Sequence, residues 1–424
     1  MIKKDPLSRR RFIAAGGSAA LAGLLLPSFA AANSPTFKIG YISPQTGPLA
    51  IFAEPDNFVM EQVRQQTAAG IPVGSERFPV EILYRDSQSS VDVAAQAARD
   101  LIVRDRVDIV LAASTPETTN PVADMCERMG VPCVTNDAPW QSYFFGRGGD
   151  PKQGFQWTYH FFWGLEDVIE SYISLWQQIE TNRRIGVLWP DDADGRVWAD
   201  ESMGFPPALR QAGFEIVDPG RFQVDAVDFA RIVRQFREQE VDIVSGVLPP
   251  PFFQRFWAEA LKQNFKPHIT TVAKASEFPS SLLPFKRDAN GLSVEVWWSP
   301  GFPFYSGLTG QSAFELAQAY TKSTGRNWTM PLGFKHALFE VALNALKHSN
   351  GPGRLESIRA ALASTDYQSI AGRINFQTGP VPNISKTPLA SGQWEYRYRQ
   401  LELLVVDNRG AAEIPLQARL RSMR

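Results

Sequence analysis

The chain has 424 residues, with 43 Lys and Arg against 44 Asp and Glu and a formal net charge of −1. That balance gives no electrostatic footing for nucleic acid or for an anionic membrane surface. With 44% hydrophobic residues the chain can bury a sizeable core, and its length allows two domains.

Ser8, Arg9, Arg10, Arg11, Phe12 and Ile13 form a twin-arginine export motif, preceded by Lys3 and Lys4. A small-residue apolar run, Ala14 to Leu26, and an A-x-A site at Ala30–Ala32 complete the pattern of a cleaved leader. The run is too short and too rich in Gly and Ala for a membrane span. The expectation is therefore a leader over residues 1–32 and a mature protein in the periplasm. No cysteine lies near the cleavage site to carry a lipid.

Downstream, short apolar runs alternate with amphipathic stretches. Strands are predicted at Phe37–Ile42, Val80–Arg85, Val107–Ala112 and Val131–Thr135, with helices at Asp56–Gln66, Val91–Val103 and Pro121–Met129 between them. A loop rich in Gly, Lys and aromatic residues follows, from Trp140 to Trp157. The grammar then restarts with helix Asp167–Ile179, strand Arg184–Trp189, helix Phe205–Gln211, strand Phe214–Val217 and helix Asp228–Gln239. It continues through strand Val241–Val247, helix Phe253–Gln263 and strand His268–Val272. Strands separated by helices imply right-handed crossovers and parallel sheets. The last third reads as strand Leu292–Trp297, helices Gln311–Thr324, His336–His348 and Leu355–Ala363, a β-rich end at Trp394–Tyr398 and Leu401–Val406, and a peripheral tail from Gly410. Cys126 and Cys133 do not have zinc or redox spacing; a disulfide and two buried thiols both remain open. The four histidines are scattered, without metal-ligand spacing.

Two βα halves behind an export signal suggest a two-lobed binding protein. The segment KIGYISPQTGPLA, Lys38 to Ala50, resembles the first strand and loop of the branched-chain-amino-acid-binding (Leu/Ile/Val-binding) family, the extracytoplasmic solute receptors of ABC importers. The likeness continues through Asp86, Ala112–Thr115, Gly130–Pro132, Arg184–Gly195, the Gly213 turn, Asp228–Phe229 and Gly392–Trp394. The resemblance implies an α/β fold of two doubly wound parallel-sheet lobes joined by crossing hinge strands, the type 1 periplasmic binding protein fold. The corresponding division is 33–158 with 275–385 for the first lobe and 159–274 with 386–424 for the second. The ligand is expected between the lobes at the carboxyl ends of the strands, where loops and helix N-termini gather. The implied partner is an ABC transporter permease, with no cofactor, nucleic acid or direct membrane contact.

Candidate ligand-binding residues follow from the same comparison. Phe52 lies where such receptors place a ring against the ligand. Ser114 and Thr115 open the next helix, where the family holds a ligand carboxylate; Thr115 is the expected N-cap and Pro116 the first helical residue, in place of a ligand hydroxyl. Asn136 and Ala138 end the following strand, with Pro139 in place of a threonine and Trp140 opening the aromatic loop. Trp163 and Phe162 lie near the first crossing between lobes, and Trp297 and Trp298 near the second. In the second half, Asp194 replaces a tyrosine, and Leu248 and Pro249 replace an aromatic contact. Asp192–Gly195 with Glu201 partly matches a calcium loop, but Pro190 at the first ligand position cannot coordinate through its side chain. After the strand at 268–272, the family's ammonium-binding glutamate is replaced by Ala273, with Lys274 next. These substitutions point to a carboxylate without an α-amino group, with an aromatic or apolar body and Lys274 as its counter-ion. An amino-acid or amide receptor and a ligand-sensing module on the same fold are the alternatives. An enzyme is not expected, because the sequence carries no nucleophile elbow, phosphate loop, dinucleotide fingerprint or metal cluster.

Overall fold

The computed structural model describes residues 35–423; the predicted leader lies outside the described residues. Strand Phe37–Ser43 reads FKIGYIS and is buried at nearly every position, which is what a parallel strand covered on both faces requires. It sits inside a six-stranded sheet ordered Ile384–Ser385, Thr158–Phe161, Cys133–Asn136, Ile109–Ala113, Phe37–Ser43, Val80–Asp86, with all pairs parallel. A second sheet of seven strands is ordered Gln400–Asp407, Ala390–Arg397, Leu292–Val296, Ile269–Lys274, Ile243–Leu248, Arg184–Leu188, Glu215–Val217. Its last five members are parallel, but Ala390–Arg397 runs antiparallel to Leu292–Val296 and to Gln400–Asp407. The two-lobed α/β architecture is the expected one, and the second sheet adds an antiparallel edge pair. The hairpin link from Arg397 to Gln400 is too short for a crossover, so its strands must pair antiparallel.

The lobe division from sequence is corrected in one place. Leu292–Val296, assigned above to the first lobe, hydrogen-bonds between Ile269–Lys274 and Ala390–Arg397 in the second sheet. The chain thus crosses between sheets three times: after Phe161, after Val296 and after Ser385.

Helices pack where their apolar stripes dictate. In Phe229–Glu238 the buried residues Phe229, Ile232, Val233 and Phe236 fall at the helical period, and Asp228 caps the start by accepting from the Arg231 amide at 3.1 Å. Helix Leu165–Trp176 follows the first crossing and covers the second sheet, where Trp176 Nε1 donates to Thr271 and Ser174 Oγ to Asp407. Helix Met330–Lys347 is buried almost all round and returns to the first sheet; its Lys335 Nζ sits 2.9 Å from Asp56 and donates to Tyr41 and Ser43. Among the described residues no helix is long and apolar enough to cross a membrane. Cys126 and Cys133 are free, buried thiols.

Candidate functional site

In both sheets the parallel strands end on the same side, and the loops that follow converge on one cavity. Phe52 comes from the short turn Ala50–Ala53, Thr115 from the loop after Ile109–Ala113, Asp137 and Pro139 from the loop after Cys133–Asn136, and Phe162 and Trp163 from the first crossing. The second lobe supplies Asp194 and Trp198 from helix Ala193–Trp198, Val247, then Ala273, Lys274 and Glu277 around the end of Ile269–Lys274, and Glu295 and Trp297 from the second crossing. The free space is about 30 Å³, room for no more than a water or two, so the lobes are closed on each other.

Lys274 lines the cavity with its charge already engaged by carboxylates. It has a left-handed backbone (φ 63°), is 7% exposed, and its Nζ lies 2.5 Å from Asp194 and 3.9 Å from Glu117 of the first lobe. Burial works to lower its affinity for the proton, but the carboxylates of Asp194, Glu117 and Asp192 outweigh burial and hold it charged far above the usual range. Glu117 is pushed up by burial, yet the Lys274 ammonium and the dipoles at the helix start bring it below the usual carboxylate range.

The expected lack of a carboxylate near Ala273 is corrected. The positive φ at Lys274 and a tight turn, in which the Ala275 amide donates to the Ala273 carbonyl at 2.7 Å, fold the chain back and bring Glu277 into the cavity. Glu277 Oε1 accepts from the Lys274 amide at 2.9 Å. Glu295 lines the same cavity beside it. Tyr172 donates its hydroxyl to Glu295 Oε2. Burial raises both acids, and for Glu295 the Glu277 charge adds to it. Across the cleft, Asp137 is 6% exposed with φ 66°, and among the described residues neither of its oxygens has a hydrogen-bond partner. Burial pushes its carboxyl up to about 8; Lys335 opposes, and Glu277 and Asp56 add to the rise. The indole N–H groups of Trp163 and Trp297 are likewise unpartnered.

Of the residues named from sequence, Phe52, Thr115, Pro139, Phe162, Trp163, Asp194, Ala273, Lys274 and Trp297 line the cavity. The others have structural places. Ser114 is buried behind Thr115, and its hydroxyl has no partner among the described residues. Thr115 is the N-cap of Pro116–Met129, as expected, and its carbonyl rather than its hydroxyl accepts from the Thr118 and Thr119 amides. Asn136 donates to the Phe334 carbonyl at 2.9 Å, tying the strand end to Met330–Lys347. The Ala138 carbonyl contacts His160 Nε2 at 2.8 Å. Trp140 donates to Glu166. Leu248 is core, and Pro249 precedes helix Pro250–Lys262 outside the cavity lining, leaving Val247 to line it. Asp137, Glu277 and Glu295 were missed. Glu295 has a signal, a charge inside the apolar strand LSVEV; Asp137 and Glu277 depend on left-handed turns that composition does not reveal.

This fold and cavity define a two-lobed receptor that closes on a small molecule. The model of the periplasmic binding protein family matches residues 36–386, and the chain belongs to that family of non-catalytic solute-binding proteins. Among solved structures it is similar to an ABC transporter substrate-binding protein from Sphaerobacter thermophilus, with 21% identity and TM-score 0.69 over 88% of this chain and 97% of that one. A solute-binding protein from Rhodopseudomonas palustris BisB5, in complex with 3,4-dihydroxybenzoic acid, aligns with TM-score 0.71 and 18% identity over 89% and 99%. A branched-chain amino acid transporter substrate-binding protein from Streptococcus pneumoniae, in complex with isoleucine, aligns with TM-score 0.69 and 15% identity over 88% and 99%.

Proposed function

We propose that this protein is exported through the twin-arginine route, captures a small organic solute between its lobes and delivers it to an ABC import permease. The single observation that carries this reading is the convergence of both lobes' strand ends on one closed cavity lined by Phe52, Phe162, Trp163, Trp198 and Trp297 and by unpartnered polar atoms. Hinge closure around a solute is the conformational signal such a receptor offers a permease. The leader residues Arg9 and Arg10 support the route of export.

The solutes named for the similar structures, isoleucine and 3,4-dihydroxybenzoic acid, both carry a carboxylate. A carboxylate was also the expectation from this sequence. Here such a group would have to displace Asp194 from Lys274 and enter beside Asp137, Glu277 and Glu295, so the cavity speaks against the carboxylate reading. Deleting the gene should abolish uptake of one solute, and the intact gene, but not one with Arg9 and Arg10 changed to Lys, should restore it. Unchanged uptake across a broad panel of radiolabelled solutes would refute the receptor role.

A further inference from the structure

Four acidic side chains line the cavity, Asp137, Asp194, Glu277 and Glu295, and the one cation among them, Lys274, is taken by Asp194 and by Glu117. Three carboxyl groups from two lobes are thus brought together behind a closed cleft; among the described residues none of them is in an ion pair, and Lys335 acts on Asp137 only from a distance. Asp137 is the most exposed case of the imbalance: nearly buried, with both oxygens unpartnered. An isolated buried carboxylate is among the costliest groups a protein can hold, and a cation between the lobes relieves that cost.

The rest of the lining has the same preference. Phe52, Phe162, Trp163, Trp198 and Trp297 line the space, and aromatic rings can attract organic cations. The helix start nearest the cavity does not offer a place for an anion. The start of helix Pro116–Met129 would be the natural one, but Pro116 has no N–H, and the Thr118 and Thr119 amides already donate to the Thr115 carbonyl at 3.1 and 3.0 Å. Glu117 puts the chain's own negative charge in that first turn. Among the described residues no His, Cys, Asp and Glu group is arranged to hold a metal ion, which leaves an organic cation.

We infer that the solute is a small organic cation without a carboxylate, such as an amine, quaternary ammonium or amidinium, held by Asp137 and Glu277 from opposite lobes and by the surrounding rings. This rests on the receptor reading and specifies its ligand. Binding then draws a proton off the cavity. The groups facing Asp137 are Lys335 and Asp56 from its own lobe and Glu277 from the other. A permanent cation binds the ionised form, so its affinity rises with pH through the range in which these acids release their protons.

The test is calorimetric titration of the mature protein with a panel of primary, quaternary and amidinium cations, benzylammonium and tetramethylammonium among them, beside benzamide, benzoate and leucine. At least one cation is expected to bind, more tightly at pH 9 than at pH 6, with proton release read from two buffers of different ionisation enthalpy. Asp137→Asn, and independently Glu277→Gln, should weaken it by about thirtyfold or more while leaving the melting temperature of the free protein within a few degrees. Binding of benzoate, leucine or benzamide in preference to every cation would overturn the ligand class while upholding the receptor reading. Failure of the whole cation panel would also overturn the ligand class. The receptor reading would then be judged separately, by whether the protein retains any compound from a dialysed cell extract.

Discussion

Lys274→Met is the perturbation with the largest consequence inside one lobe. Lys274 and Asp194 both belong to the second lobe, so their 2.5 Å ion pair persists whether the cleft is open or closed. Both side chains are almost wholly buried, at 9% and 3% exposure. Removing one partner of such a pair leaves the other as an uncompensated buried charge, which costs about 3–5 kcal/mol. The left-handed backbone at position 274 is retained by Met, so the loss reports charge rather than release of backbone strain. Urea unfolding followed by tryptophan fluorescence at pH 7 should show the second lobe destabilised by that amount. The double variant with Asp194→Asn should recover most of it, because the orphaned charge is then absent. A single-variant loss under about 1 kcal/mol, or a double variant no more stable than Lys274→Met, would show that the pair is not what holds this corner together.

Four further expectations follow from the same physics. Lys335→Met should destabilise the first lobe by about 3–5 kcal/mol, since it strips Asp56 of a fully buried partner at 2.9 Å; urea midpoints of the first transition read it. Lys386→Ala should cost less than about 1 kcal/mol in the same assay, because its ion pairs with Glu166 and Asp167 at the third crossing are partly exposed. Gly333→Ala should lower stability by about 1–3 kcal/mol, because a Cβ there would meet the Trp298 ring at 2.3 Å; a melting temperature equal to the parent's would disprove the clash. Burial lowers His160 to about 3 and His336 to about 4 from an ordinary 6.5. The unfolded chain therefore binds protons that the folded protein refuses, and the stability these two residues contribute at neutral pH is lost as pH falls from about 6.5 toward those values. Imidazole NMR signals of both should stay unshifted from pH 8 to pH 5, and titration near 6.5 would contradict their burial.

The alternation of FKIGYIS, VEILYRD and their successors with amphipathic helices made the two-lobed α/β fold legible, because central strands such as FKIGYIS are buried on both faces and helices such as Phe229–Glu238 on one. The mixed second sheet was not, since a short apolar run reads the same in either direction. Within the site, Phe52, Thr115, Trp163, Asp194 and Lys274 could be placed because they lie at strand ends or in the segments that follow them. The role of Lys274 could not. Its partners come from positions 117 and 194, distant in sequence, and only the folded chain shows that its charge is already engaged. Asp137 and Glu277 escaped for a related reason: their direction is set by left-handed backbone at Asp137 and Lys274, where residues other than glycine are uncommon and no sequence rule marks them.

Native mass spectrometry of the protein released gently from exporting cells tests the central claim most directly. The account predicts a one-to-one complex whose small component is recovered unchanged after denaturation, bears a positively charged nitrogen and lacks a carboxylate. A bound amino acid or carboxylic acid, or a compound that the protein converts to another on incubation, would contradict it.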